Sequence, residues 1–254
     1  MKIIVIDTET TNLEKPFCYN IGYVIFDTEA GEILVKKDFV VEQVWHNNML
    51  FSTAYYANKR EIYVERMRAR KCRMDKFGYI TQTMYRDIKE HDVQHGFAYN
   101  APFDVKVFDF NCDWFKCINP LDTIQMHDIR GHVHKKIAFS ESYQKYCNDH
   151  GLYTESGNYS TTAEAVFRYI SNEDEFIEEH TALADSLIEL EILRYCINLG
   201  CEWEQDYPTY RTIPRVVTKN FKVVDADGEA HVFPYTDKVK LRGEDGFRLK
   251  VKRE

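Results

Sequence analysis

MKIIVIDTETTNL, residues 1–13, runs four apolar residues in a row (Ile3-Ile4-Val5-Ile6) straight into Asp7-Thr8-Glu9-Thr10. A short apolar run rich in β-branched residues and ended by polar ones reads as a buried strand. Residues two apart on a strand point to the same face, so Asp7 and Glu9 project together where the strand leaves the sheet. Two carboxylates ~4 Å apart repel by about 4 kcal/mol at an intermediate dielectric. A divalent cation between them turns that repulsion into attraction. A solvated strand end would account for the same four residues; their place at the rim of a buried sheet favours the metal.

Outward from this strand, residues 19–28 and 33–41 read as two more strands, with Asp27-Thr28-Glu29-Ala30-Gly31-Glu32 as the turn between them. The chain therefore starts as a three-stranded antiparallel meander. Apolar and aromatic positions at 51, 55, 56, 62, 63 and 67 recur at helical spacing, and a second helix is expected over 83–91. Short strands follow at 97–99 and 117–121. Helices are expected over 140–150, 161–170 and 181–199, the last with a broad apolar face stopped by Gly200.

Two further blocks carry acids. Asn100-Ala101-Pro102-Phe103-Asp104 follows a strand and opens a helix, since proline is tolerated in the first turn. A carboxylate there gains from the helix dipole, so Asp104 suits capping as well as metal binding; Phe103, Val107 and Phe108 belong to the core. In His180-Thr181-Ala182-Leu183-Ala184-Asp185 the histidine and the acid are five apart, about 140° around one helix. They share no helical face. With Thr181 as the cap, His180 lies on the preceding loop and Asp185 in the early turns, where a loop histidine near a metal held by Asp185 suits a general base. A carboxylate cluster for divalent metal plus a nearby base is equipment for phosphodiester hydrolysis.

Composition limits the alternatives. The 254 residues suffice for one good core and a small appendage. No apolar run approaches the length of a membrane span, and the N-terminus is too short for a secretory signal, so a cytoplasmic protein is expected. The seven cysteines are odd in number, and the closest pairs, Cys112 with Cys117 and Cys196 with Cys201, have four residues between them, so they read as buried thiols. Nothing completes a metal site around His127, His132 and His134. The net charge is −8, but residues 59–76 hold eight Lys/Arg against three acids. Arg66, Arg68, Arg70 and Arg73 in that segment suit phosphate contacts as well as a solvated helix face.

From Trp203 the composition changes. Residues 221–224 and 231–233 around Asp227-Gly228 read as a hairpin, and 239–241 and 247–251 alternate like exposed strands. This tail carries eleven basic and nine acidic residues, leaving residues 1–202 at −10. The expected organisation is a domain over 1–202, with a helical basic insertion at about 43–92, and a small β-rich appendage over 203–254.

Taken together, "DTETTNL", "YNAPFD" and "HTALAD" resemble the three motifs of the DEDDh exonucleases of the RNase H-like fold, in order and spacing, over about residues 1–200. The five-residue His–Asp spacing matches the histidine subclass. The resemblance implies an α/β fold: a mixed five-stranded sheet in the order 3-2-1-4-5, flanked by helices. It implies that Asp7, Glu9, Asp104 and Asp185 hold two divalent cations, Mg²⁺ or Mn²⁺, and that His180 activates water. Thr10 and Asn100 match positions lining the terminal nucleotide's pocket. The implied activity is 3′–5′ exonucleolytic release of nucleoside monophosphates, with single-stranded DNA the favoured substrate. An oligoribonuclease-like enzyme and an inactive nucleic-acid-binding module are the competing readings. The appendage has strand guidance, docking to a polymerase or recombination protein, and dimer contact as candidate roles. Asn12 departs from the usual glycine and Tyr99 from a frequent histidine.

Overall fold

The computed structural model describes residues 1–54, 56–224 and 230–238, with the strands after Arg215 described by their backbone alone. Two compact units are present, residues 1–137 with 162–209, and residues 138–161 with 210–254.

The first unit opens with the expected meander: β1 (Lys2–Thr10), β2 (Cys18–Asp27) and β3 (Glu32–Val41), antiparallel throughout. Gly31 makes the turn at φ 71°, a conformation costly to other residues. Two single-turn helices follow, α1 (Glu42–Trp45) and α2 (Asn48–Phe51), then a 3₁₀ turn (Ala57–Lys59) that leads into α3 (Arg60–Arg68). A three-residue strand, β4 (Arg73–Asp75), precedes α4 (Phe77–Glu90). Next come β5 (His95–Ala98), α5 (Ala101–Phe115), β6 (Gln125–Asp128) and α6 (Ile129–Val133).

The second unit contains α7 (Glu141–His150), capped by the Ser140 hydroxyl, which accepts from the Tyr143 N–H. The chain then returns to the first unit for α8 (Ala163–Ser171) and α9 (Ala182–Asn198). The second unit resumes with an antiparallel hairpin, β7 (Val216–Val224) and β8 (Ala230–Lys238), longer than the sequence pattern shows. The Asp227-Gly228 turn and the strands expected at 239–241 and 247–251 lie outside the described residues.

The main sheet has the order β4-β3-β2-β1-β5-β6, with β5 parallel to β1 and β6 parallel to β5. Setting β4 aside, this is the expected 3-2-1-4-5 arrangement; β4 adds a sixth strand parallel to the outer edge of β3. It also corrects the reading of 43–92 as helical. Arg70 takes a left-handed conformation (φ 58°), while the Lys71 N–H reaches the Arg66 carbonyl and the Arg70 N–H the Met67 carbonyl. That Schellman-type stop ends α3 and releases the chain to cover an open strand edge.

A second correction concerns 117–121, expected to be a strand. Pro120–Thr123 is a 3₁₀ turn, its start fixed by the Asn119 side chain accepting from the Leu121 N–H. The strand forms later, as β6. The core is dominated by β1, β2 and their covering helices: Ile4, Ile6, Tyr19, Ile21, Tyr23, Val107 and Phe108 are fully buried. All seven cysteines are free thiols. No described helix is long and apolar enough to cross a membrane.

Candidate active site

Three elements meet at the carboxyl end of β1. Strand alternation sets Asp7 and Glu9 side by side, and Thr8 between them donates from its hydroxyl to Asp104 Oδ1 at 2.7 Å. Asp104 stands in the first turn of α5, after Asn100, whose left-handed backbone (φ 70°) turns the chain from β5 into the helix. Glu9 Oε2 accepts from the Tyr19 hydroxyl at 3.3 Å. Asp185 arrives from α9, which crosses the sheet in direct contact with it.

That contact depends on Gly22. It sits opposite Asp7 in the β1–β2 register. A Cβ there would lie 2.0 Å from the Leu183 nitrogen and 2.1 Å from the Ala182 carbonyl carbon. The Ser186 hydroxyl donates to the Gly22 carbonyl at 3.0 Å, locking the helix at this depth. A glycine inside a strand marks close backbone approach, and Gly22 carries that signal in the sequence.

His180 lies just before α9, as its spacing from Asp185 requires, but Thr181 is not the side-chain cap. Asn20 Oδ1 takes that role, accepting from the Ala182 N–H at 2.8 Å, while the buried Thr181 hydroxyl has no partner among the described residues. His180 adopts φ 54°. Side-chain ligand atoms of Glu9, His180 and Asp185 lie within 4.8 Å of one another. The insertion holds the histidine in place. Tyr56 stacks on its ring (centroids 4.3 Å apart, planes at 15°), and the Tyr63 hydroxyl donates to its carbonyl at 3.4 Å. Lys59 donates to the Glu179 carbonyl at 2.9 Å, and Arg66 pairs with the Glu179 carboxylate at 3.0 Å. Glu178 Oε2 stands 3.6 Å from His180 Nδ1.

The electrostatics are those of an anionic pocket. Burial, added to by Glu189, Asp185, Asp104 and Glu9, raises the Asp7 carboxyl well above the ordinary range. Burial likewise pushes Asp185 up to about 9, Glu9 to about 8 and Asp104 to about 7. Burial and the Lys59 ammonium lower His180, which keeps its imidazole neutral and able to accept a proton near neutral pH. Asp185 Oδ1, on a residue only 5% exposed, has no hydrogen-bond partner among the described residues. An unpartnered buried carboxylate oxygen facing other carboxylates fits a hard divalent cation with oxygen ligands. The donor set suits Mg²⁺ or Mn²⁺.

The remaining expected residues divide. Thr10 lines a pocket of about 310 Å³ beside the acids, with Thr8, Glu9, Thr11, Asn12, Leu13, Tyr56 and Phe103. Asn100 does not line it: it is exposed, its N–H bound to Asp128 and its side-chain oxygen accepting from Arg130. Asn12, which replaces the usual glycine, does not take a positive φ; its side-chain oxygen accepts from the Glu14 and Lys15 N–H groups. Arg66 is engaged inward with Asp38 and Glu179, whereas Arg68, Arg70 and Arg73 are exposed. Of the four, Arg66 and Arg68 lie on α3, Arg70 follows it, and Arg73 is on β4. A larger cleft of about 770 Å³, lined by residues including Asp109, Lys116 and Asp122, contains none of the candidate catalytic groups.

Sequence reasoning missed Tyr56, Glu178, Asn20 and Glu189. Glu189 left a trace, as an acid one turn after Asp185 on a buried helical stripe.

The mixed sheet with α9 laid across its central strands is an α/β architecture of the RNase H-like class, as the sequence motifs imply. Solved structures share it. The nuclease domain of 3′hExo, a DEDDh family member, bound to rAMP, superposes with a TM-score of 0.52 at 15% identity, covering 82% of this chain and 97% of that one. The 3′-exonuclease described in 3′-end-specific recognition of a histone mRNA stem-loop gives 0.55 at 14% identity, covering 91% and 90%. The chain thus has the fold of the DEDDh exonucleases. No protein-family model and no curated protein sequence matches it.

Proposed function

We propose that this protein is a metal-dependent 3′–5′ exonuclease that removes nucleoside 5′-monophosphates from single-stranded nucleic acid, with DNA as its substrate. The observation that carries this reading is the gathering of Glu9, His180 and Asp185 ligand atoms within 4.8 Å of one another, with Asp7 and Asp104 near enough for the acids to raise one another, Asp185 Oδ1 buried without a partner among the described residues, and His180 lowered toward its neutral form. Two divalent cations, held by these four carboxylates, would supply the charge that stabilises the attacking and leaving oxygens of a phosphodiester. Each residue then has a distinct task. The acids fix the position of the scissile phosphate, His180 takes a proton from the attacking water, and Tyr56 holds the imidazole plane. Leu13, Phe103 and Tyr56 offer apolar surface for the terminal base.

Support for DNA comes from how the polar pocket groups are used. The Thr10 hydroxyl donates to the Asn12 carbonyl and Asn12 Oδ1 is occupied by its own loop, leaving few groups to read a 2′-OH. Cleavage of matched single-stranded DNA and RNA oligomers tests this directly; faster RNA cleavage overturns the DNA assignment and leaves the chemistry standing.

His180→Ala should lower kcat by about 10²–10⁴-fold, the usual contribution of a general base, with metal affinity nearly unchanged. The acidic limb of the wild-type pH–rate profile should vanish. Retention of that limb in the variant argues against His180 as the base.

The exposed arginines are proposed to contact the phosphates of the incoming strand. Replacing Arg68, Arg70 and Arg73 by glutamine together should weaken single-strand binding and flatten its salt slope by about 2, at ~0.7 per lost contact. An unchanged slope leaves these residues a solvated face.

A further inference from the structure

Glu189 is a buried acid that the four-carboxylate scheme does not use. It lies one helical turn beyond Asp185 on the same face of α9 and is only 3% exposed. One carboxylate oxygen accepts from the Tyr99 backbone N–H at 3.1 Å, which ties it to the β5–α5 junction that positions Asp104. Burial, with the carboxylates of Asp104, Asp185 and Glu178, raises the Glu189 carboxyl well above the ordinary range, and burial with the Glu189 charge raises Asp7 in the same way. A buried carboxylate needs a counter-charge or it neutralises, and here its ionised neighbours are other carboxylates. The unpartnered Asp185 Oδ1 independently marks where a cation belongs.

We infer that Glu189 is a fifth carboxylate of the metal centre, a positioning residue whose charge, one helical turn beyond Asp185 and anchored on the Tyr99 N–H, raises the site's affinity for divalent cations. This rests on the metal-dependent reading above. The Tyr99 N–H fixes its orientation, so it acts on the cations through the field and placement of the four ligands and touches no reacting atom. Replacing such supporting groups lowers metal affinity by about 10–100-fold.

The test is calorimetric titration of Mn²⁺ into the full chain without nucleic acid, for wild type, Glu189→Gln and Asp185→Asn, with melting temperatures recorded with and without Mn²⁺. Glu189→Gln preserves shape and the hydrogen bond to Tyr99 while removing charge. It should bind Mn²⁺ at least tenfold more weakly than wild type, and without metal it should melt at or above the wild-type temperature. Wild-type affinity in Glu189→Gln, alongside weakened binding in Asp185→Asn, overturns the role of Glu189 and leaves the metal site intact. A metal-free Glu189→Gln protein that melts lower, with unaltered affinity, overturns it too and makes Glu189 a packing residue. Absence of Mn²⁺ binding in the wild type itself refutes the metal-dependent reading, and this inference with it.

Discussion

Asp185→Asn should reduce hydrolysis by on the order of 10³-fold or more while making the metal-free protein less sensitive to alkaline pH. Asparagine keeps the shape but loses the charge that holds the cations, and several kcal/mol of transition-state stabilisation are lost with them; each 1.36 kcal/mol is a factor of ten in rate. The stability effect follows from the raised pKa. A carboxyl pushed up to about 9 by burial and by Glu178 and Glu9 binds its proton more tightly folded than unfolded, so its contribution is fully present below its unfolded pKa and is lost as pH rises through the folded value. Metal-free wild type should therefore melt at progressively lower temperature between about pH 4 and pH 9, and the variant should show a shallower decline. Mg²⁺ should restore the wild type at high pH and do little for the variant. Stopped assays and thermal melts across pH measure both effects; full activity in Asp185→Asn, or in wild type with EDTA, refutes the two-metal site.

Gly22→Ala should damage both stability and activity through a single added methyl group. The added Cβ would sit 2.0 Å from the Leu183 nitrogen and 2.4 Å from the Ala182 carbonyl oxygen, all backbone atoms, so no side chain can swing aside. Overpacking of a well-filled core costs about 1–3 kcal/mol, and here relief requires α9 to retreat from β2. That movement carries Asp185 away from Asp7 and shifts the His180 loop, and a displacement of about 1 Å at a reacting centre costs roughly 10²-fold in rate. The expected result is a lower melting temperature together with a fall in kcat. Gly78→Ala is the control, since its Cβ meets the Cys117 Cβ at an ordinary 3.4 Å. Wild-type melting and activity in Gly22→Ala would show that α9 does not need this depth.

The two variants mark how far the sequence could be read. Asp7, Glu9, Asp104 and Asp185 are legible as candidates because each stands where a periodic element with a locally set direction ends or begins: an apolar run, a proline-opened helix, a long apolar helix. His180 was legible by spacing, since five residues cannot share one helical face. The strand at 117–121 was misread because a turn closed by Asn119 and Pro120 outweighs a weak apolar pattern. The short β4 went unseen because three residues carry no period; it exists through pairing with β3. Asn20 could not be recognised as the α9 cap, since it comes from a strand 162 positions away.

The class of fold and the acids proposed for the chemistry can be read from residue type and periodicity, because these are local properties. Packing between distant elements sets the rest. It placed α9 against Gly22, and so brought Asp185 and Glu189 to the end of β1; it spent Arg66 on Asp38 and Glu179, holding the loop before His180 rather than reaching for phosphate; and it laid Tyr56 against the His180 ring. These are long-range contacts, fixed by close packing between elements far apart in the chain, and no pattern within a single segment records them.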